Sequence, residues 1–433
     1  MNIVIFTNTY TPHVGGVARS VEAFVTEYRK LGHRVLVVAP EFAGMPENEQ
    51  DVVRIAAIQN FNATDFSVAL PFHDKLSQIL DDFKPDIIHS QHPFLLGMSA
   101  LRTARYRKLP LVFTHHTLYE QYTHYVPGDS LTMQHFAIAL ATRYANLCNQ
   151  VIAPSQSIAD LLHERGVTSP VTVIPTGVYL EKFANGDGLA VRRRLGIPAD
   201  ATVIGHLGRL APEKNLEVLA RAVAQTISAR PTSHFLVVGA GPSEPAIRRI
   251  FAQAGISERL HMAGVLQQQQ LTDALHAMDV FAFASASETQ GMVITEAMAA
   301  GLPVVAFNAP GVREVVENDK NGLLLNENTA LAMSTALEQL LRQPARLAAL
   351  GQGALKTADE FAMSCSATKA IRCFQSVLET MPASPKTERD WEDVLAWIKA
   401  EWDILSSVAV AGTTAVGSGL FADNKLAAGK KLS

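Results

Sequence analysis

The stretch VFAFASASETQGMVITEAMAAGLPVVAF, residues 280–307, decides the fold. It has the pattern of a buried strand (280–284), a small polar loop (285–291) and a helix from residue 292 to residue 300. Gly301 and a nearby proline end that helix, and the apolar run after them predicts another strand. Units of this kind bind ligands at the carboxyl ends of their strands, so we expect a ligand site in the loop.

Two glutamates flank this loop. Glu288 lies in the loop, and Glu296 lies on the helix eight positions later. The first turn of a helix offers free backbone N–H groups and a positive dipole end, which favour an anion. Gly291 lets a ligand approach because it has no Cβ. Since carboxylates accept hydrogen bonds from vicinal hydroxyls, an anion site beside both glutamates suits a nucleotide sugar.

The segment ETQGMVITE, residues 288–296, resembles the E-x7-E signature of glycosyltransferase family 4 (GT4), whose members are retaining enzymes with the GT-B fold. The segments SQHPFLLG (90–97) and THHTLYEQYTHYVP (114–127) are similar to those of bacterial diacylglycerol glucosyltransferases within that family. The resemblance implies an α/β protein with two Rossmann-like, doubly wound domains that face each other across a cleft, followed by a C-terminal helical extension.

The order of elements agrees with that fold, because strands alternate with helices in both halves, as in parallel doubly wound sheets. We expect an acceptor domain over 1–175, a nucleotide-sugar domain over 176–362, a crossover helix over 363–380 and a tail over 381–433. The uncharged stretch 404–422 in the tail is almost long enough to span a bilayer. Its Ala, Gly, Ser and Thr content leaves both an interfacial tail and an inserted helix open.

Composition excludes several classes of protein. The 433 residues are 48% hydrophobic and 18% charged, which fits a globular chain and not a disordered one. The net charge of −4 gives no indication of nucleic-acid binding. The three cysteines show no metal-site spacing, and the start MNIVIFTNTY has the pattern of a strand and not of a signal peptide. We therefore expect a cytoplasmic protein.

Two further segments are candidates for phosphate contacts. HLGRLAPEKN, residues 206–215, places Arg209 and Lys214 where two cations could neutralise a diphosphate, although such side chains are often simply solvated. It resembles the G-R-L-x-x-E-K-N pattern of the family. Gly15 and Gly16 open a helix after the first strand, as a phosphate cradle or as a tight turn that needs positive φ. The resemblance implies that this loop faces the donor diphosphate.

The run FTHHTLYEQYTHY, residues 113–125, is rich in histidine and tyrosine. A histidine with an ordinary pKa could donate to an alkoxide or phosphate, or accept a proton. A metal site and aromatic packing are the alternatives. The resemblance implies that His116 lies near the anomeric carbon of the reacting sugar.

The resemblance thus implies a catalytic pair and a donor site. The catalytic residues are Glu288 and His116. The donor-binding residues are Gly15, Gly16, Arg209, Lys214, Val265, Thr289, Gln290, Gly291, Met292 and Glu296. No metal and no cofactor is expected besides the UDP-sugar, which is the donor substrate.

The function implied is retaining transfer of glucose, or a similar hexose, from UDP-glucose to a diacylglycerol-type lipid. The alternatives are a GT4 enzyme that acts on phosphatidylinositol or a soluble sugar with GDP-mannose as donor, and a non-catalytic nucleotide-sugar-binding protein of the membrane surface. A lipid acceptor requires peripheral contact with the inner face of the membrane. Residues 94–109, apolar and then basic, form either a helix that lies on an anionic bilayer or an ordinary surface helix.

Overall fold

The computed structural model describes residues 1–13, 15–58, 68–69, 74–119, 131–286 and 288–380. The tail (381–433) and residues 120–130 of the histidine-rich run lie outside this part of the chain. The strands are β1 (Asn2–Phe6), β2 (Arg34–Pro40), β3 (Val52–Ile55), β4 (Ala57–Ile58), β5 (Val68–Ala69), β6 (Ile87–Ser90), β7 (Leu111–Thr114), β8 (Gln150–Ala153), β9 (Val171–Val173), β10 (Thr202–Leu207), β11 (Ser233–Val238), β12 (Leu260–Met262), β13 (Val280–Phe283), β14 (Val304–Phe307) and β15 (Gly322–Leu325).

The α-helices alternate with these strands. They are α1 (Gly16–Lys30), α2 (Asp74–Phe83), α3 (Leu96–Arg107), α4 (Leu131–Leu147), α5 (Gln156–Glu164), α6 (Leu180–Phe183), α7 (Gly188–Leu195), α8 (Leu216–Ala229), α9 (Glu244–Gln253), α10 (Gln268–His276), α11 (Met292–Ala299), α12 (Ala330–Leu341), α13 (Pro344–Glu360) and α14 (Met363–Thr380).

Two parallel sheets organise these elements. The first has the strand order β3-β2-β1-β6-β7-β8-β9, and the second has the order β12-β11-β10-β13-β14-β15. We call the first sheet with its helices lobe 1 and the second lobe 2. Apolar runs such as β1 and β13 are buried on both faces, as parallel strands covered by helices require. The prediction of two doubly wound sheets is confirmed.

Strand order reverses once in each sheet, between β1 and β6 in lobe 1 and between β10 and β13 in lobe 2. At such a switch point, the loops leaving the two strands diverge to opposite faces and open a crevice at their carboxyl ends. The loop after β1 holds Gly15, and the loops after β10 and β13 hold Lys214 and Glu288. The topology therefore places Gly15, Lys214 and Glu288 at switch points.

The chain crosses between the lobes twice, side by side. In the first crossing, residues 174–178, Ile174 belongs to the lobe 1 core and Val178 to the lobe 2 core. In the second crossing, residues 361–363, the chain returns. The Val178 N–H donates to the Phe361 carbonyl (2.8 Å), and the Met363 N–H donates to the Val178 carbonyl (2.9 Å). A Cβ on Gly177 would lie 2.4 Å from the Met363 Cα, so only glycine permits this contact.

The last described helix, α14, packs against lobe 1 and not against lobe 2, whose helices precede it. Its Phe374 makes edge contacts with the rings of Tyr28 on α1 and His89 on β6, at centroid distances of 5.7 and 5.1 Å. Both ends of the described chain therefore contribute to the same core. Among the helices described, none combines the length and the apolar character needed to cross a bilayer.

Several histidines are buried in the two lobes. Burial lowers the pKa of His89, His92 and His115 to about 3, and that of His116 and His206 to about 4. These rings are neutral in the folded protein at pH 5, whereas an unfolded chain takes up protons below its ordinary pKa of about 6.5. The unfolded state binds more protons, so the free energy of unfolding falls as the pH falls from about 6.5 towards 4.

His115 provides a test, because neither of its ring nitrogens has a hydrogen-bond partner within the described structure. Replacing it by leucine removes the protonation penalty without breaking a hydrogen bond. When the pH is lowered from 7 to 5, the free energy of unfolding of the wild type should fall by about 2 kcal/mol more than that of His115→Leu. Denaturant titrations at both pH values measure this difference.

His135, an exposed histidine of α4, is the matched control. His135→Leu removes an exposed ring and leaves every buried histidine in place, so the free energy of unfolding of this variant should fall with pH as that of the wild type does. If the free energy of unfolding of His115→Leu fell with pH as steeply as that of the wild type, His115 would not be a ring that burial keeps neutral.

Candidate active site

The loops after β10 and β13 meet at the switch point of lobe 2. Lys214 ends a short 3₁₀ turn, Pro212–Lys214, and its Nζ lies 2.7 Å from the Glu288 Oε1. Asn215, the next residue, donates from its side chain to the Ala284 carbonyl at 3.4 Å and so ties the two loops together. The side chains of Lys214 and Glu288 are 17% and 15% exposed, so this ion pair lies partly out of water but within reach of a ligand.

Arg209 lies on the same loop as Lys214 and is more exposed. Its guanidinium pairs with the Glu213 carboxylate, and its side chain is 46% exposed. The loop therefore presents two cations, each with a carboxylate partner of its own. A diphosphate would compete with those carboxylates for the same cations.

The N-terminus of α11 begins beside Glu288. Gly291 precedes the helix with φ +73°, a left-handed conformation that glycine adopts without strain, and no side chain caps the first turn. Gly311 packs behind the loop, since a Cβ there would lie 2.6 Å from the Glu288 carbonyl oxygen. The backbone is thus close-packed on one side. In the first turn of α11 the Ile294 N–H donates to the Gly291 carbonyl at 2.9 Å, and the N–H groups of Met292 and Val293 before it are those that an anion could use.

Glu296, about one turn into α11, reaches across to lobe 1. Its Oε1 pairs with the Arg19 guanidinium, and its Oε2 is buried without a partner in the described residues. Burial raises the pKa of Glu296, and the Arg19 charge opposes that rise. Such an incompletely bonded carboxylate can accept further hydrogen bonds from hydroxyl groups.

Gly15 and Gly16 begin α1, the helix that carries Arg19. Gly15 is extended (φ −164°), so a turn with positive φ does not explain these glycines. A Cβ on Gly16 would meet no atom within 4 Å, whereas one on Gly15 would lie 3.2 Å from the His13 Nε2. The start of α1 is therefore an open backbone surface, as a close approach by a phosphate requires.

His116 lies at the carboxyl end of β7, on the lobe 1 side of the same region. Its Nε2 is 2.6 Å from the Gln91 Oε1, and since an amide oxygen only accepts, the ring N–H donates there. Burial lowers the pKa of His116 to about 4, so the ordinary pKa assumed from the sequence is wrong. At neutral pH, His116 is a neutral ring with a lone pair on Nδ1.

Thr289 and Gln290 bind protein groups of the opposite side of the cleft. The Thr289 Oγ1 donates to the His116 carbonyl at 3.0 Å. The Gln290 side chain, on a residue that is 4% exposed, makes two hydrogen bonds with the backbone of Thr176 in the first crossing. These side chains join the lobes. Because the buried Gln290 amide already uses its acceptor and a donor within the protein, a donor substrate would meet Gln290 through its backbone, whereas the half-buried Thr289 hydroxyl can still accept a hydrogen bond.

Val265 lies apart from these contacts. It follows β12, the edge strand of lobe 2, three positions from β13 in the sheet, and it is 63% exposed. The structure places it at the rim of lobe 2, and its role in donor binding stays a prediction.

Sequence reasoning missed the partners that lobe 1 supplies. Arg19 lies one helical turn after Gly15, which is the only local signal for it. Glu314 accepts from the Ser157 N–H at the start of α5 (2.8 Å), a contact between residues 157 positions apart. No pattern within either segment predicts it. Among the residues that the structure describes, no three His, Cys, Asp or Glu side chains converge as metal ligands would.

Known protein families match nearly the whole described chain. Residues 14–182 match the model of Glycosyltransferase Family 4, and residues 189–357 match that of Glycosyl transferases group 1. An alpha-monoglucosyldiacylglycerol synthase of Streptococcus pneumoniae is 30% identical over 350 residues, which are 79% of this chain and 79% of that protein. A GDP-mannose-dependent alpha-mannosyltransferase of Mycobacterium tuberculosis is 28% identical and covers 75% of this chain and 84% of its own.

Solved structures match the fold. The Anabaena protein HepE, crystallised in complex with UDP, has a TM-score of 0.70 and 21% identity, and the match covers 87% of this chain and 100% of that one. The predicted GT-B architecture is thereby confirmed. Since its sequence matches over most of its length, this chain belongs to glycosyltransferase family 4 and is a hexosyltransferase.

Proposed function

We propose that this hexosyltransferase transfers glucose, or a similar hexose, from UDP-glucose to a diacylglycerol-type lipid with retention of anomeric configuration. We infer the donor site from one observation, the ion pair between Lys214 and Glu288 at the lobe 2 switch point, beside the start of α11. It supplies a cation for the diphosphate and a carboxylate for sugar hydroxyls within one contact. The relative from Streptococcus pneumoniae, whose name specifies a glucosyldiacylglycerol, supports the acceptor.

The donor takes over contacts that the protein now makes with itself. The diphosphate draws Lys214 and Arg209 away from their carboxylate partners and lies against the starts of α1 and α11. Glu288, released from Lys214, accepts from the hydroxyls of the sugar. Glu296 has an unpartnered oxygen, which accepts from the ribose. Each carboxylate thus exchanges a cation for hydroxyl donors.

In the proposed reaction, the bond between the anomeric carbon and the β-phosphate oxygen breaks, and its electron pair leaves with UDP. The oxygen of the acceptor hydroxyl bonds to the anomeric carbon on the same face, and its proton passes to the departing phosphate oxygen. Lys214, Arg209 and the N–H groups of α11 offset the charge that develops on that oxygen without a metal ion. Neutral His116 accepts a hydrogen bond beside the reacting carbon through its Nδ1.

Membrane contact uses a smaller part of α3 than the sequence indicates. The apolar residues Leu96 and Leu101 are buried in the lobe 1 core, so the predicted apolar start of this helix cannot insert into a bilayer. Arg107 pairs with Asp81 at 2.7 Å. The exposed side of α3, where Tyr106 is 84% exposed, is the part we propose for contact with an anionic membrane surface.

A second candidate donor is GDP-mannose, which the name of the Mycobacterium tuberculosis relative specifies. The contacts described above serve any sugar diphosphate, so they do not select between the two nucleotides. Product analysis separates these candidates.

We expect substitutions of the ion pair to separate nucleotide binding from sugar transfer. Lys214→Ala removes the cation that faces the diphosphate, and it should weaken UDP binding by about 10- to 100-fold, the value of a charged hydrogen bond. Glu288→Gln should bind UDP at least as well as the wild type, because UDP lacks the hexose that Glu288 would hold and because Lys214 is released. Its turnover of UDP-glucose should fall by about 100-fold. Calorimetry and a UDP-release assay measure the two effects.

Lys320 is the matched control, because it pairs with Glu317 at 2.8 Å on the surface of lobe 2. Lys320→Ala should leave binding and turnover unchanged. Wild-type UDP affinity in Lys214→Ala, or wild-type turnover in Glu288→Gln, would remove that residue from the site.

Mass spectrometry of the products tests the donor and the acceptor. The full-length protein is incubated with UDP-glucose or GDP-mannose, together with diacylglycerol in anionic vesicles or with soluble sugars. We expect a hexosyl-diacylglycerol from UDP-glucose, with an α linkage by NMR. Mannosyl products, or hexose transferred only to soluble sugars, would contradict the proposal. Nucleotide binding without any product would favour a non-catalytic binding protein.

A further inference from the structure

Gln290, which the sequence assigns to donor binding, takes part in an unbroken chain of buried hydrogen bonds between the lobes. Its Oε1 accepts from the Thr176 N–H at 2.7 Å, and its Nε2 donates to the Thr176 carbonyl at 2.5 Å. The Thr176 Oγ1 lies 2.6 Å from the Ser20 Oγ on α1. All three residues are at most 4% exposed.

This chain connects the two halves of the donor site. Gln290 lies between Glu288 and Gly291 in the loop before α11, and Ser20 lies on the first turns of α1, whose start is Gly16. Thr176 stands midway in the first crossing between the lobes. Any rotation of the lobes about the crossings must therefore break these bonds or carry the loop with it.

Both bonds with Thr176 use its backbone, and they require one acceptor and one donor on the same side chain. An amide satisfies both at once, whereas a carboxylate would face the Thr176 carbonyl with a second negative oxygen. A protonated carboxyl group has the same donor and acceptor arrangement as the amide. The site thus selects a neutral, planar group with one donor and one acceptor.

We propose that Gln290 is a positioning residue that holds the Glu288 loop in register with the start of α1 through the backbone of Thr176. The inference rests on the proposed function, because the two surfaces it aligns are those that bind the sugar diphosphate. Gln290 itself does not touch the donor through its side chain. Its effect on the reaction is to fix the distance between the charged residues of lobe 2 and the phosphate-binding backbone of lobe 1.

Asn321 provides a matched control. It is a fully buried amide in lobe 2 that donates to the Thr357 hydroxyl (2.9 Å) and, in addition, accepts from the Glu317 N–H at 2.8 Å and donates to the Val315 carbonyl at 2.8 Å, as Gln290 does with Thr176. These are the same types of hydrogen bond as those of Gln290, but they do not join the lobes. Two single variants of Gln290 are each compared with a single control variant. Gln290→Met has the control Asn321→Leu, and Gln290→Glu has the control Asn321→Asp.

We expect Gln290→Met and Asn321→Leu both to lower the melting temperature, and only Gln290→Met to lower kcat with UDP-glucose, by roughly 10- to 100-fold. Only Gln290→Met should speed hydrogen exchange at the Thr176 amide. The activity of Gln290→Glu, divided by that of the wild type, should rise as the pH falls from about 8 to about 5.5, because protonation restores both bonds. The other ionisable groups of the site are the same in both proteins, so their effects cancel in this ratio.

Hydrogen exchange keeps this inference separate from the proposed function. If the wild type consumes no UDP-glucose, the proposed function fails, and exchange at Thr176 still decides whether Gln290 holds the crossing. Unchanged exchange in Gln290→Met overturns the inference, as does turnover equal to that of Asn321→Leu. If Gln290→Met does not fold, two other results overturn the inference. One is a Thr176 amide that exchanges in the wild type as fast as an amide of an exposed loop. The other is an activity ratio of Gln290→Glu to wild type that does not change with pH.

Discussion

The contact on which the site depends is the ion pair between Lys214 and Glu288, residues 74 positions apart. The carboxyl ends of parallel strands lie along the same side of a sheet. Because the strand order reverses between β10 and β13, the loops that follow these two strands diverge. Two opposite charges fill the crevice that results. Each is partly withdrawn from water, and each stabilises the other while no ligand is bound. A ligand that carries both a diphosphate and hydroxyl groups can replace this pair without leaving either charge unpaired.

Polar pairs also join the two lobes at their boundary. Arg19 of lobe 1 pairs with Glu296 of lobe 2, and Glu314 accepts from the backbone at the start of α5. The lobes are thus held together by polar contacts at the cleft and by the two adjacent crossings of the chain. Polar contacts of this kind can be exchanged for ligand contacts, whereas apolar packing between the lobes would resist such exchange. The architecture suits an enzyme that must close around a donor and exclude water.

The sequence predicted the sheets, and its local patterns of strand and glycine placed Arg209, Lys214, Glu288 and Glu296 on the switch-point loops and the helix that follows, whereas the roles of these residues in donor binding rest on the family resemblance and stay predictions. It could not predict which charges pair, because the partners are set by strand order. Nor could it predict that Gln290 faces the crossing, since nothing near residue 290 signals its distant partner. The ordinary pKa assumed for His116 failed for a related reason. Burial depends on the packing of the whole lobe, which a short histidine-rich segment does not reveal.

A crystal structure of the protein with UDP and an unreactive analogue of the hexose donor tests the central claim most directly. We expect the β-phosphate to lie within hydrogen-bond distance of the Lys214 Nζ and the Gly16 N–H. We also expect sugar hydroxyls on Glu288 and ribose hydroxyls on Glu296, with the ion pair between Lys214 and Glu288 broken. A nucleotide bound elsewhere, with both the Lys214–Glu288 and the Arg19–Glu296 pairs intact, would contradict this claim.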